Sequence, residues 1–375
     1  MKKIYCSLGL MSGTSADGVD ASIINSDGDK EYEVILNKYF KYNQKIYENI
    51  HSLKEKINSS KDLKIFSKEI MSLEKEITLF HANVVDEIIQ ESKSNVDFIG
   101  FHGQTIFHNS KERISKQLGD GKILSQLTKK IIVCNFREND LNNGGEGAPL
   151  APIFHKLIIN QHKISLPVCV LNIGGIANIT AIERNDYSNF ISRDIGPGNC
   201  LIDEWIRKNT KKKYDDNGLI AKKGKTNEII LNQAFDNFNS RKKNNVLSFD
   251  TKDFNLNFAL GLSLEEGAAT LTDFTGRIIG AGLFNLLSRT SDKLWKVLVC
   301  GGGRKNTTLM NCIKKKTLKN IDIQLIDDYG IDGDFVESQA FAYLAIRSYL
   351  KLPISFPETT GCKKPCIGGE IIKNF

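Results

Sequence analysis

The stretch Gly9-Leu-Met-Ser-Gly13-Thr14-Ser15-Ala16-Asp17-Gly18-Val19-Asp20 gathers residue types suited to holding an anion. Gly13 and Gly18 permit backbone conformations that other residues resist, so main-chain N–H groups can converge, and the Thr14 and Ser15 hydroxyls add donors. Asp17 could hold Mg²⁺ through water. Together these are the tools for gripping the β- and γ-phosphates of ATP at a hairpin tip. Ordinary turn chemistry selects the same residue types, so the segment does not decide the matter alone.

Two further segments have the same character. Leu171-Asn172-Ile-Gly174-Gly175 follows an apolar run, as the first does, and Val297-Leu-Val-Cys-Gly301-Gly302-Gly303-Arg-Lys-Asn306 is a strand feeding a glycine run that opens a helix. Glycines there let a flat base or ribose approach the backbone, and the new helix contributes its N-terminal partial charge. Asp194 follows Phe190-Ile191 and precedes Gly196-Pro197-Gly198-Asn199, so its carboxylate is expected to project from a strand end as a base, or else to cap the helix starting near Cys200. His102-Gly103-Gln104-Thr105 and Phe136-Arg137-Glu138 follow strands, and Arg137 could clamp a carboxylate with two prongs. His102 and His108 read as satisfied loop histidines, since no carboxylate cluster accompanies them. Glu337 opens a helix, where a carboxylate is favourable on its own account.

Competing motifs fail on spacing. Gly218 to Gly224-Lys225-Thr226 has five residues between the glycines where a P-loop has four, and no apolar strand precedes it. Gly196 to Leu201 and Gly301 to Asn306 lack the third glycine of a dinucleotide fingerprint. Ser15 lacks the glycine that closes a nucleophile elbow.

The elements that must position these residues alternate between strand and helix. Ile4–Leu10, a polar turn over Met11–Gly18 and Val19–Asn25 form a hairpin; Leu63, Phe66, Ile70, Leu73, Ile77, Phe80, Val84 and Ile88 place one apolar stripe on a long helix. Strands are expected at Asp97–Phe101, Ile131–Cys134, Val168–Leu171, Ile176–Ile182, Lys296–Cys300 and Ile321–Ile326, with helices near 149–162, 263–287, 307–317 and 335–350. Both halves open as strand, polar turn, strand, which suggests a duplicated α/β domain of the ribonuclease-H type. The expected division is an N-terminal lobe over 1–132, joined by 345–375, and a C-terminal lobe over 133–344. The Lys/Asn-rich stretch 207–257 reads as a lid, a peripheral insertion or a disordered segment.

The 375 residues suffice for two domains, and an apolar fraction of 41% fills a core in each. The net charge of +7 is spread over isolated lysines, too diffuse for a nucleic-acid surface. No run approaches the ~18 apolar residues of a membrane span, and no export signal is evident. With eight cysteines, several inside apolar runs, a cytoplasmic location is expected. Cys362 and Cys366 stand alone as a pair, and a zinc site would need two more ligands that no nearby stretch provides.

The ordered strings Gly9–Asp20, His102–Thr105, Asn135–Arg137 with Gly144–Leu150, Leu171–Gly175, Asp194–Asn199 and Cys300–Gly303 together resemble the anhydro-N-acetylmuramic acid kinase family. The resemblance covers roughly residues 4–350. It implies two ribonuclease-H-like lobes of the actin/hexokinase type with a cleft between them, ATP and Mg²⁺ as cofactors, and a homodimer. It implies a sugar substrate, 1,6-anhydro-N-acetylmuramic acid, opened with water and phosphorylated on O6 during cell-wall sugar recycling. Carried over by motif, Gly13 to Asp20 hold ATP, Asp194 is the base, and Gln104, Thr105, Arg137 and Glu337 line the sugar site. Ala16, Arg193 and Ile195 depart from the family's usual residues. Two alternatives stay open: a kinase of the same superfamily acting on another sugar or a small carboxylate, and a nucleotide-binding regulator without transfer activity.

Overall fold

A computed structural model describes residues 3–184, 190–241, 248–287, 294–317 and 320–375. In chain order the elements are β1 (Tyr5–Ser12), β2 (Gly18–Ser26), β3 (Tyr32–Lys41), α1 (Gln44–Lys56), α2 (Ser60–Ile65), α3 (Ser67–Ser92), β4 (Phe98–Asn109), β5 (Ile114–Leu118), α4 (Gly121–Thr128), β6 (Ile131–Cys134), α5 (Glu138–Asn142) and α6 (Pro152–Gln161). They continue as β7 (Val168–Ile173), β8 (Ile176–Ile182), β9 (Phe190–Pro197), α7 (Cys200–Asn209), α8 (Glu228–Arg241), α9 (Leu264–Leu287), β10 (Trp295–Cys300), α10 (Thr307–Lys316), β11 (Ile321–Leu325), α11 (Val336–Tyr349), α12 (Pro357–Thr360) and β12 (Glu370–Ile372).

The chain divides into two units. Unit 1 comprises residues up to Ile164 together with Asp334–Phe375, and unit 2 comprises Ser165–Gly333. These limits differ from the expected breaks after 132 and 344. The segment beyond β6 stays with unit 1 because polar pairs tie it there: Tyr32 N donates to Gln161 Oε1 at 2.8 Å and Gln161 Nε2 returns a bond to Tyr32 O at 2.7 Å. The whole of α11 packs on β1, β2 and β4, which carries the second boundary back to 334.

In unit 1 the sheet order is β12-β6-β4-β1-β2-β3, with β5 paired to β4. The strands β1, β2 and β3 run antiparallel in sequence, while β4 and β6 lie parallel on the other side of β1. Leu8 and Leu10 turn toward a core completed by Ile50, Ile77, Val85 and Leu124 of α1, α3 and α4. The opposite face accepts α11 through a glycine pair: Gly9 and Gly100 are register partners on β1 and β4. A Cβ at Gly9 would stand 1.9 Å from Ser338 O, and one at Gly100 would stand 2.2 Å from Phe341 O.

Unit 2 has the sheet order β11-β10-β7-β8-β9, again an antiparallel run of three strands with two parallel strands beside the first. Its main core joins Leu171, Ile179 and Val299 to Trp205 of α7, Phe274 of α9 and Ile313 of α10. Both units therefore have the ribonuclease-H strand order, as the two hairpin openings suggested.

Several local expectations shift. Met11 and Ser12 belong to β1, so the first turn is shorter than expected, and β3 and α1 were not foreseen. The apolar stripe from Leu63 is broken at Phe66, which ends α2 and starts α3. The stretch 207–257 contains the rest of α7, single turns at Asp216–Gly218 and Ala221–Lys223, and α8; residues 242–247 of it lie outside the described residues.

Candidate functional site

In unit 1 the turn from Gly13 to Asp17 connects β1 and β2 and is closed by Ala16 N donating to Gly13 O at 3.2 Å. Ala16 is fully buried with φ of 54°, a left-handed conformation that costs an alanine more than a glycine. Ser15 Oγ donates to Asp17 Oδ1 at 2.5 Å. From α1, Lys54 Nζ reaches Thr14 O at 3.2 Å and His51 Nε2 lies 3.1 Å from Ser15 O, which engages the turn's carbonyls. Gly18, Val19 and Asp20 are already in β2, and a Cβ on Gly18 would collide with Phe40 O at 2.4 Å.

Three of the expected sugar residues of unit 1 lie on or beside β4: Gln104 and Thr105 within it, and Arg137 bonded to His102. The register of β1 on β4 slips at Met11, which pairs with Gly103, so that Ser12 faces Gln104. Gln104 is fully buried; its Nε2 donates to Gly13 O at 3.0 Å, and its Oε1 has no hydrogen-bond partner. Thr105 Oγ1 accepts from Gln117 Nε2 at 3.2 Å. Arg137 Nη2 donates to His102 Nε2 at 2.9 Å, which places the His102 proton on Nδ1, donated to Gly103 O at 2.8 Å. Burial first, then the Arg137 charge, hold His102 well below the ordinary imidazole range, so it accepts as a neutral ring. Arg137 Nη1 donates to Gly147 O at 2.8 Å, so a backbone carbonyl and the His102 ring both orient the guanidinium. Glu337 lies in the first turn of α11, half-buried. His102, read from the sequence as a satisfied loop histidine, is satisfied at both ring nitrogens but lies within β4 rather than in a loop.

In unit 2 the catalytic candidate is placed by register. Asn172 pairs with Asn178, and Asn178 pairs with Asp194, whereas Ala177 pairs with Gly196, so Ile195 is an extra residue bulged from β9. The bulge sets Asp194 in one cross-strand row with Asn172 and Asn178, and Cys300 extends that row on β10. The neighbouring Leu171, Ile173 and Ile179 face the core, so the polar row occupies the other face. Asp194 is 6% exposed, and its Oδ2 accepts from Phe249 N at 2.8 Å. This corrects the cap alternative: Asp194 lies within β9, and α7 begins after Asn199. It also gives part of the polar stretch 207–257 a place, beside the carboxylate.

Gly174 and Gly175 turn β7 into β8, with Gly198 N donating to Gly175 O at 2.9 Å. Gly301 has φ of 79°, and a Cβ there would meet Asn172 Oδ1 at 2.3 Å, so the two expected nucleotide segments touch within unit 2. Gly302 and Gly303 start a single helical turn, and Asn306 caps α10, its side chain accepting from Leu309 N at 2.9 Å. Arg304 Nε and Nη2 hold Asp327 at 2.7 and 2.8 Å, while its Nη1 reaches Gly301 O at 3.2 Å. The side-chain hydrogen bonds from Arg304 keep the Asp327 carboxyl below the usual range. This brace on the glycine run was not foreseen.

The residues fit the groups implied for them. A Cβ at Gly302 would meet nothing within 4 Å, one at Gly174 only Ile176 O at 3.6 Å, and one at Gly13 only Ser15 Oγ at 3.9 Å, so the backbone is uncrowded at each of these positions within its own unit. Asp17 and Asp20 supply the hard oxygen donors that Mg²⁺ prefers.

Two sheets of ribonuclease-H order, each with a small-residue turn after its first strand, define a fold of the actin and hexokinase class. The chain matches the description of anhydro-N-acetylmuramic acid kinase over residues 5–374. It is 58% identical over 375 residues, the full length of both chains, to the anhydro-N-acetylmuramic acid kinase of Pelagibacter ubique. With the enzyme of that name from Zymomonas mobilis it shares 38% identity, covering 97% of this chain and 98% of the relative. The chain belongs to the anhydro-N-acetylmuramic acid kinase family and is a kinase. Among solved structures it is similar to a hexokinase from Schistosoma mansoni complexed with glucose, at 10% identity and a TM-score of 0.43 over 91% of this chain and 85% of that one. Among the described helices none is long and apolar enough to cross a membrane.

Proposed function

We propose that this kinase opens 1,6-anhydro-N-acetylmuramic acid with water and phosphorylates O6 at the expense of ATP, giving N-acetylmuramic acid 6-phosphate and ADP, in the recycling of cell-wall sugar. The observation that carries this reading is the buried Asp194 carboxylate, set by a bulge into a polar row and held by Phe249 N. An inverting glycosidase needs one carboxylate to activate water and a second to protonate the leaving oxygen. Here the leaving O6 is captured by phosphorus, so a single base suffices.

ATP supplies the phosphoryl group that takes up O6. Asp194 accepts the proton of the water that attacks C1. The N–H edges of Gly13 to Asp20, Asn172 to Gly175 and Gly301 to Gly303, with Asn306, are assigned to binding the nucleotide, and Asp17 to Mg²⁺ through water. Gln104, Thr105, Arg137 and Glu337 are assigned to the sugar; the unpartnered Gln104 Oε1 supports this, because a buried acceptor gains from a ligand hydroxyl. We also assign the chain to the cytoplasm and to a homodimer, which sedimentation at working concentration tests.

The test is a coupled ADP assay in ¹⁸O-labelled water. ADP release that requires the anhydro-sugar, is absent with ordinary hexoses and places label at C1 is expected. Phosphorylation without a new anomeric hydroxyl would instead select a simple kinase of another sugar.

A further inference from the structure

Asp140, Cys362 and Cys366 are far apart in sequence but meet inside unit 1. One ligand atom from each lies within 4.8 Å of the other two, and all three side chains are buried. The carboxylate is anchored first. Asp140 Oδ1 accepts from Ser355 Oγ at 2.5 Å and Thr360 Oγ1 at 2.6 Å, and its Oδ2 accepts from Gly147 N at 2.7 Å. The cysteines are placed by the turn that follows: Gly361, with φ of 74°, ends α12, and Cys366 pairs with Ser355 in a short antiparallel bridge. Both thiols donate to one carbonyl, Lys364 O, at 3.2 and 3.0 Å, so the two sulfurs converge.

Two sulfurs and a carboxylate oxygen at this spacing match three corners of a small tetrahedron. With metal–sulfur bonds of about 2.3 Å its edges are roughly 3.8 Å, a spacing compatible with ligand atoms that all lie within 4.8 Å of one another. Thiolate donors select Zn²⁺ and similar thiophilic ions over Mg²⁺. Two thiolates, one carboxylate and a divalent ion leave a single negative charge, which Lys363 and Lys364, lying between the two cysteines, offset.

We propose that Asp140, Cys362 and Cys366 form a structural site for a thiophilic divalent cation of the Zn²⁺ type, with water as its fourth ligand. On binding, each thiol gives up its S–H bond to Lys364 O, releases the proton to solvent and offers a sulfur lone pair to the ion. The ion then cross-links the C-terminal segment to α5, immediately after Arg137. Sequence spacing could not suggest this, since it offered two ligands and the third arrives only by folding.

The experiment titrates the reduced, full-length chain with Co²⁺. One equivalent is expected to give the visible spectrum of a tetrahedral thiolate complex, which one equivalent of Zn²⁺ bleaches. The spectrum is lost in C362S and in C366S, and Zn²⁺ raises the melting midpoint of the natural chain but not of the double variant. Alkylation and peptide mapping give a reading that needs no variant: Zn²⁺ protects Cys362 and Cys366, out of eight thiols, from iodoacetamide. A spectrum that appears only with excess metal, that persists in the double variant, or that forms without protection of these two thiols overturns the site.

Discussion

Gln104 Nε2 donates to the carbonyl oxygen of Gly13 at 3.0 Å, joining the middle of β4 to the turn after β1. One side chain thus fixes the first small-residue turn with its nitrogen and presents a buried, unpartnered oxygen. Replacing Gln104 by Ala removes the brace and leaves Gly13 O with only the bond from Ala16 N. We expect a loss of roughly tenfold to a hundredfold in kcat/KM, with KM rising for the sugar and for ATP together. Steady-state kinetics with each substrate varied in turn checks this; a change confined to one substrate would separate the brace from the binding role.

Asp194→Asn preserves the shape of the side chain and removes its basicity. A fall in kcat of about 10² to 10⁴ is expected, with nucleotide binding and melting temperature little changed. Turnover within a few-fold of the natural enzyme would remove Asp194 from the role of base.

Gly9 and Gly100 let α11 lie against the sheet of unit 1, and neither has room for a methyl group because the opposing atoms are backbone. Gly9→Ala or Gly100→Ala should cost about 1–3 kcal/mol, the usual penalty for overpacking. Denaturant midpoints measure this, and a similar change at the open Gly302 should be close to neutral for folding while weakening ATP binding.

The histidines set an acid limit on stability. Burial depresses both His81 and His155 from 6.5 to about 4, so the folded chain keeps them neutral where the unfolded chain would take up protons. The unfolded state therefore binds more protons below pH 6.5, and stability falls as pH drops from 6.5 toward 4, then levels for these groups. Each contributes on the order of 3 kcal/mol over that window. Unfolding free energies across pH should show the slope, and His81→Phe, at a ring whose Nε2 has no partner, should reduce it.

The sequence by itself determined the family and the local shape of the small-residue turns, because glycines and small polar residues at fixed spacing dictate backbone conformation. It also exposed the duplication, since two apolar runs with polar tips repeat at the start of each unit. It did not reveal β3, α1 or the extent of each unit, whose limits depend on which surfaces α6 and α11 find. The row of Asn172, Asn178 and Asp194 depends on a register slip at Ile195, and register is a property of paired strands rather than of any one strand. The meeting of Asp140 with Cys362 and Cys366 is likewise tertiary: buried hydrogen bonds from Ser355 and Thr360, remote in the chain, bring the carboxylate to the thiols. Local pattern encodes what neighbours along the chain can do, and only packing decides which distant groups become neighbours.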